Sequence, residues 1–512
     1  MFTPKKYRKI VKEIYVQLCD EEARDPYFGG KRINWLNFYK KFNKIIEKNP
    51  ELAKIPLSII GASRKTYKEY VFDILVDKFL LHYVSVKKLF TIFSKPAPKC
   101  EIDVNYKYIF VIFDKLSQDI LFPVIDRMML IKEKLLIITL RKIYQKIDEE
   151  YRKNIGFFIL DEEVLKLPKM TLKEIFTRSE KQRDEIIENI EDEVLKEALR
   201  IHSAFLGLQI KLANLQYYLF CEIFSKITPK AVVSLNPTVA FASAKKCGIN
   251  TVMFQHGLVG DKITVVWPYV SDYIIIWGEI WRDNFIKNTE GTVEIKSLGN
   301  PRFDDLVKAS KKIYVEKKKQ KKRNIVYISA GGVYNEYTKS FFAVIEKIVK
   351  KFDNKIDLII KLHPREDVNS KKIFKKHIDK EIFNKLIFIK EEPIEDVLHK
   401  SEIILLFSST VILEAMVLQK PVLRINFTGY PVLEYDDFTK FGLDDAISDT
   451  QELLDNIEKC LNDENHRKMI IKKQNEFLNK YISNLGTSTD TVINFITKDL
   501  TTRKHKGALP IF

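Results

Sequence analysis

The sequence predicts an α/β fold: two doubly wound, parallel-sheet domains of Rossmann-like type facing across a cleft, with an extra helical region at the N-terminus. Three observations carry this. Short apolar runs rich in Ile, Val and Phe alternate with longer helical stretches, the pattern of parallel strands covered on both faces. The alternation occurs twice, with a dense basic stretch between the two series. A chain of 512 residues exceeds one ordinary core, so two or three domains are expected.

Residues 1–95 read as helical. Tyr7, Ile10, Val11, Ile14 and Leu18 recur at helical spacing, as do Trp35, Phe38, Phe42 and Ile46. Lys5, Lys6, Arg8, Lys9 and Lys12 make the first helix amphipathic and cationic. Such a helix suits contact with an anionic membrane, or packing on a neighbour with one solvated face. Residues 96–309 make the first sheet domain. Its strands are Tyr108–Phe113, Leu135–Leu140, Gly156–Leu160, Ala231–Leu235, Thr251–Gln255 and Tyr273–Trp277, and Leu172–Lys226 supplies two long helices. A boundary falls near Leu298–Phe303, and the basic run Lys311–Asn324 suits an exposed linker. Residues 310–485 make the second sheet domain, with strands Asn324–Ser329, Asp357–Leu362, Leu386–Lys390, Ile403–Phe407 and Pro421–Ile425. Residues 486–512 read as a C-terminal helix and tail.

Lys and Arg outnumber Asp and Glu by 86 to 69, a net charge of +17. The excess favours anionic partners: nucleic acid, phosphate-bearing substrates or an acidic membrane surface. Solvated lysines alone give the same charge. Five cysteines, without a CxxC pair, argue against a disulfide framework and a zinc ribbon. The first residues lack a signal-peptide core, and no run reaches the ~18 apolar residues of a spanning helix. The expectation is a cytoplasmic protein, with any membrane contact peripheral and at the inner face.

In open α/β sheets, ligands sit beyond the carboxyl ends of the strands. Ser408, Ser409 and Thr410 follow one strand and open a helix, so hydroxyls, backbone amides and the helix dipole offer a phosphate seat or an ordinary cap. Lys361, His363 and Pro364 end another strand of that sheet, and His363 can donate to a phosphate oxygen. Glu414, four residues after Thr410, can accept ribose hydroxyls. Gly331 and Gly332 permit close backbone approach. In the first sheet, Gln255, His256 and Gly257 end a strand, with Asp261 and Lys262 in the same loop. His256 is the candidate general base, Asp114 a second one, and Lys262 a phosphate contact. Asn236, Pro237 and Thr238 suit a helix cap beside the acceptor.

Together these motifs resemble GT-B glycosyltransferases of surface-polysaccharide synthesis: CDP-glycerol glycerophosphotransferases, bacterial sialyl- and polysialyltransferases, and capsule Kdo transferases. In those families an HP motif and a downstream Ser/Thr cluster hold the cytidine nucleotide's phosphates, here His363-Pro364 and Ser408-Ser409-Thr410. An HG motif with a following Lys corresponds to His256-Gly257 and Lys262. The resemblance covers roughly residues 230–430. The loop after His256 reads LVGDK, not TPLK-like, and no D/E-D/E-G motif stands where sialyltransferases have their base, so capsule-type glycosyl transfer is the best match.

The resemblance implies an inverting, metal-independent transfer from a nucleotide-activated sugar, CMP- or CDP-linked in preference to UDP-linked. The acceptor is a glycan or lipid-linked glycan on the N-terminal domain. The nucleotide lies on the C-terminal domain, and no cofactor is implied. A UDP-N-acetylglucosamine 2-epimerase-like enzyme fits the same two domains. A basic nucleic-acid-binding protein fits the charge, but no motif that reads DNA or RNA is present.

Overall fold

The computed structural model describes residues 19–20, 32–33, 105–189, 203–235, 239–257, 271–289, 293–313, 322–329, 336–363, 366, 370–407, 409–427 and 438–500. Strand β1 (Cys19–Asp20) pairs antiparallel with β2 (Arg32–Ile33). These four residues are strand within a region read as helical, and they fall between the two periodic stretches that carry that reading. The amphipathic helical patterns themselves lie outside the described residues.

Two all-parallel sheets form the frame. The first comprises β3 (Tyr108–Ile112), β4 (Leu135–Thr139), β5 (Gly156–Ile159), β6 (Ala231–Ser234), β7 (Asn250–Phe254), β8 (Tyr273–Ile276) and β9 (Glu294–Ser297), in the order β5-β4-β3-β6-β7-β8-β9. The second comprises β10 (Arg323–Ile328), β11 (Ile356–Lys361), β12 (Ile387–Ile389), β13 (Ile403–Leu406) and β14 (Val422–Arg424), in the order β12-β11-β10-β13-β14. This is the doubly wound α/β architecture the alternation predicts. Central strands such as β3, β4 and β13 are buried along their whole length, as helices on both faces require. The reading of apolar runs misses β9. It is an edge strand in which only Ile295 is buried, so it presents no continuous apolar run.

The helices that position the site are α1 (Lys115–Leu130), α2 (Lys169–Glu188), α3 (Ser203–Lys226), α4 (Arg302–Ile313), α5 (Ile394–Lys400), α6 (Val411–Val417), α7 (Glu464–Tyr481) and α8 (Ser488–Asn494). α2 and α3 are the two long helices expected within Leu172–Lys226. Both ends of the basic run Lys311–Asn324 belong to elements and not to a linker. Its first residues end α4, Arg323 and Asn324 begin β10, and residues 314–321 lie outside the described set.

One apolar cluster joins the two halves. Ile274, Trp281 and Phe303 from the first share it with Ile328, Met416 and Tyr481 from the second. Trp281 meets Tyr481 edge-on at 4.8 Å between ring centroids. After α7 the chain returns to the first sheet. Val492, Ile493, Phe495 and Ile496 pack with Tyr108, Phe110 and Tyr273. Asp304 on α4 accepts from the backbone N–H of Ser488 (3.2 Å) and Thr489 (2.7 Å), which fixes the first turn of α8. Two glycines admit this return. A Cβ on Gly278 would lie 2.2 Å from the Tyr481 carbonyl oxygen, and one on Gly299 2.1 Å from that of Ser483.

Candidate active site

Each sheet has a switch point, between β3 and β6 in the first and between β10 and β13 in the second. The crevice outside such a point is where open α/β folds take ligands. In the first sheet, Val111 is in register with Ser234, and Ser234 with Met253. Asp114 and His256 each lie three residues further on. They stand level at the carboxyl edge, with β6 between their strands, about 10 Å apart along the sheet.

Burial lowers the His256 pKa from its ordinary value, and the negative charge of Asp114 partly opposes the shift. The imidazole is therefore neutral near pH 7, the form a general base needs. Asp114 also caps α1, accepting from the Ser117 N–H at 2.7 Å. Gln255 departs from its expected role as a phosphate or acceptor contact. It is fully buried: its Oε1 accepts from the Trp277 N–H (2.9 Å), and its Nε2 donates to the Gly257 carbonyl (2.8 Å). It fixes the turn that carries His256. Asn236, Pro237, Thr238, Asp261 and Lys262 lie outside the described residues.

In the second sheet, Ile328 is in register with both Lys361 and Leu406. His363 and the Ser409–Thr410 loop thus flank the end of β10. Sequence reading missed two residues at this edge. The buried Glu366 carboxylate accepts from the Ser329 hydroxyl (2.7 Å) and from the His363 backbone N–H (2.9 Å). Its only sequence signal is an acid three residues beyond a strand-end His. Glu366→Ala leaves both donors unsatisfied and is expected to cost about 1–3 kcal/mol for each one that stays buried. A lowered urea midpoint, partly restored in Glu366→Gln, is the measurement.

Three expectations change at this edge. Lys361 is not free for a donor, because its buried ammonium donates to the carbonyls of Lys390 and Glu392, the latter at 2.7 Å. The amides opening α6 are not free either. The Val411 N–H goes to Ser409 Oγ (3.2 Å), that of Ile412 to the Ser409 carbonyl and that of Leu413 to the Thr410 carbonyl (both 3.1 Å). The loop caps its own helix, which leaves the exposed Thr410 hydroxyl and the helix dipole to face a phosphate.

Glu414 is 2% exposed, and its Oε1 pairs with Arg302 Nη2 at 3.0 Å. The sequence reading has it accepting ribose hydroxyls; in the fold it is paired and closed to solvent, with Oε2 buried without a hydrogen-bond partner. Burial pushes its pKa up to about 7; Arg302 opposes this, while Glu395 and Asp119 add to it. Asp119 lies early in α1, so the buried carboxylate of the second half feels a charge of the first. Gly331, Gly332, Pro364 and Ser408 lie outside the described residues.

Residues 310–477 match the family model for Glycosyl transferases group 1. No curated protein matches the chain in sequence. Among solved structures, a UDP-N-acetylglucosamine 2-epimerase is similar at TM-score 0.51 and 15% identity, over 79% of this chain and 99% of that one. The UDP-GlcNAc 2-epimerase of Methanocaldococcus jannaschii gives TM-score 0.50 and 15% identity, over 76% and 99%. The wall teichoic acid polymerase TagF gives TM-score 0.46 and 11% identity, over 91% and 98%. The group 1 domain, set on two parallel sheets of GT-B architecture, defines the chain as a glycosyltransferase. Its donor class is a nucleotide-activated sugar.

Proposed function

We propose that the chain is an inverting, metal-independent glycosyltransferase of surface, capsule-type polysaccharide synthesis. The donor is CMP- or CDP-linked in preference to UDP-linked, and the acceptor is a glycan or lipid-linked glycan. One observation carries this reading: part-buried His256 stands at the carboxyl edge of the first sheet, and His363 with the hydroxyl loop flanks the switch point of the second.

In the proposed reaction His256 takes the proton of an acceptor hydroxyl. The oxygen attacks the anomeric carbon as the bond to the donor phosphate breaks in line, and the nucleotide leaves with the bonding pair. Asp114 stabilises the imidazolium that forms and is the second candidate base. His363, Thr410, Ser408 and Lys262 are assigned to stabilise the leaving phosphate together with the α6 dipole, so no metal is needed. The net charge of +17 suits an anionic donor and a peripheral position at the inner face of an anionic membrane. Among the described residues no helix is long and apolar enough to cross one.

The test is thermal stabilisation by CMP, CDP, UDP, GDP and ADP side by side, since a ligand of the native state raises stability by mass action. A selective shift with CMP or CDP supports the reading, and its loss in His363→Ala supports the phosphate contact. A selective UDP shift, with turnover of a UDP-sugar in the absence of acceptor, replaces it with the epimerase reading. No shift with any nucleotide removes the phosphate seat.

A further inference from the structure

At the carboxyl edge of the second sheet the ladder between β10 and β11 adds a bond from the Ser329 N–H to the Lys361 carbonyl (3.0 Å). Beyond it one strand leads into Ala330-Gly331-Gly332 and the other into His363. The chain closes on itself between His363 and Glu366. The Glu366 N–H donates to the His363 carbonyl, and the His363 N–H donates to Glu366 Oε2, both at 2.9 Å. The other carboxylate oxygen reaches across to the neighbouring strand end, where Oε1 accepts from the Ser329 hydroxyl at 2.7 Å. Glu366 is 3% exposed and Ser329 1%, so this bridge lies beneath the edge, whereas His363 is half-buried and partly open to solvent. Burying a carboxylate is costly unless its oxygens are hydrogen-bonded. Both are bonded here, one to the backbone of His363 and one to the end of β10.

We propose that Glu366 is a positioning residue for the nucleotide site: its carboxylate fixes the backbone of His363 to the end of β10, and so sets the imidazole toward the donor phosphate before the donor arrives. The proposal rests on the reading of His363 as a phosphate contact. Glu366 touches no ligand itself and acts through the His363 backbone. A group that meets a ligand contributes most when it is ordered beforehand, because ordering left to the binding step is subtracted from affinity. Both oxygens take part: Oε2 holds the His363 N–H, and Oε1 ties it to the strand on which the switch point opens. Reach, not charge, is what the role requires. Glutamine keeps the length, and can offer its oxygen to the His363 N–H and its amide to the Ser329 hydroxyl. Aspartate keeps the charge but is one methylene short of spanning both donors.

The experiment is calorimetric titration of CDP and of UDP into the full chain for wild type, His363→Ala, Glu366→Ala, Glu366→Gln, Glu366→Asp, the His363→Ala/Glu366→Ala double variant and Gly248→Ala. Far-UV circular dichroism checks folding of each. Glu366→Ala is expected to weaken binding of the preferred nucleotide about tenfold, the scale of one lost contact. Glu366→Gln should recover most of that loss and Glu366→Asp little of it. The double variant should lose no more than His363→Ala alone, because Glu366 acts only through His363. Gly248→Ala, strained at a positive φ in the first domain, should bind as wild type and so separates lost stability from lost positioning. Wild-type affinity in Glu366→Ala, recovery by Asp in place of Gln, losses that add in the double variant, or an equal loss in Gly248→Ala overturns the positioning role. If Glu366→Ala does not fold, the Gln and Asp variants decide. Where the role is overturned but His363→Ala still weakens binding, the reading of His363 stands and only the role of Glu366 falls. If His363→Ala binds as wild type, or the wild type binds neither nucleotide, both fall together.

Discussion

His256→Ala is expected to lower turnover by about 10²–10⁴-fold while nucleotide binding survives, because proton abstraction is lost and the second sheet is untouched. The pH profile makes the assignment sharper. A general base works in its unprotonated form. Burial, the largest influence on His256, lowers its pKa below the ordinary 6.5, with Asp114 pulling the other way. The acidic limb of kcat/KM should therefore fall below pH 6.5 and disappear in His256→Ala. Asp114→Asn removes the opposing charge and should move that limb to still lower pH. It keeps an oxygen that can cap α1, so loss of fold does not confuse the result. A limb above pH 6.5, or unchanged turnover in His256→Ala, removes His256 as the base and leaves Asp114.

Gly299→Ala is expected to destabilise the chain by on the order of 3 kcal/mol. Two causes coincide. Gly299 has φ +92°, a left-handed conformation that side chains rarely adopt, and its Cβ would stand 2.1 Å from the Ser483 carbonyl oxygen and 2.2 Å from Ser488 Oγ. The first obstacle is backbone and cannot rotate away, so the return of α8 to the first sheet must shift. Gly248→Ala is the control. It has φ +73° with nothing within 4 Å of the added Cβ, so strain alone applies, at about 1 kcal/mol. Urea unfolding of both variants is the measurement. Equal losses would show that the close approach at Gly299 contributes nothing.

The strand runs were legible because a parallel strand buried on both faces must be apolar along its whole length. Tyr108–Ile112, Leu135–Thr139 and Ile403–Leu406 leave little choice. β9 was not legible, since an edge strand with one buried residue has no such signature. Among the site residues, the strand-end placement of His256 and His363 could be read from where the apolar runs stop. The partners of their neighbours could not. Lys361 and Gln255 look like ligand contacts because polar residues at strand ends often are. In the fold each finds backbone partners, Lys361 the carbonyls of Lys390 and Glu392, Gln255 the backbone of Trp277 and Gly257.

The sequence by itself determined the two parallel-sheet α/β units and most of their strands. These follow from local hydrophobic period and from chain connectivity. The tertiary structure alone decided that α8 returns to the first sheet, that Glu366 ties Ser329 to His363, and that Arg302 meets Glu414 across the two halves. Each joins groups that share no periodic pattern, two of them across distant parts of the chain. Their energies come from burial and pairing, and those exist only once the chain is folded.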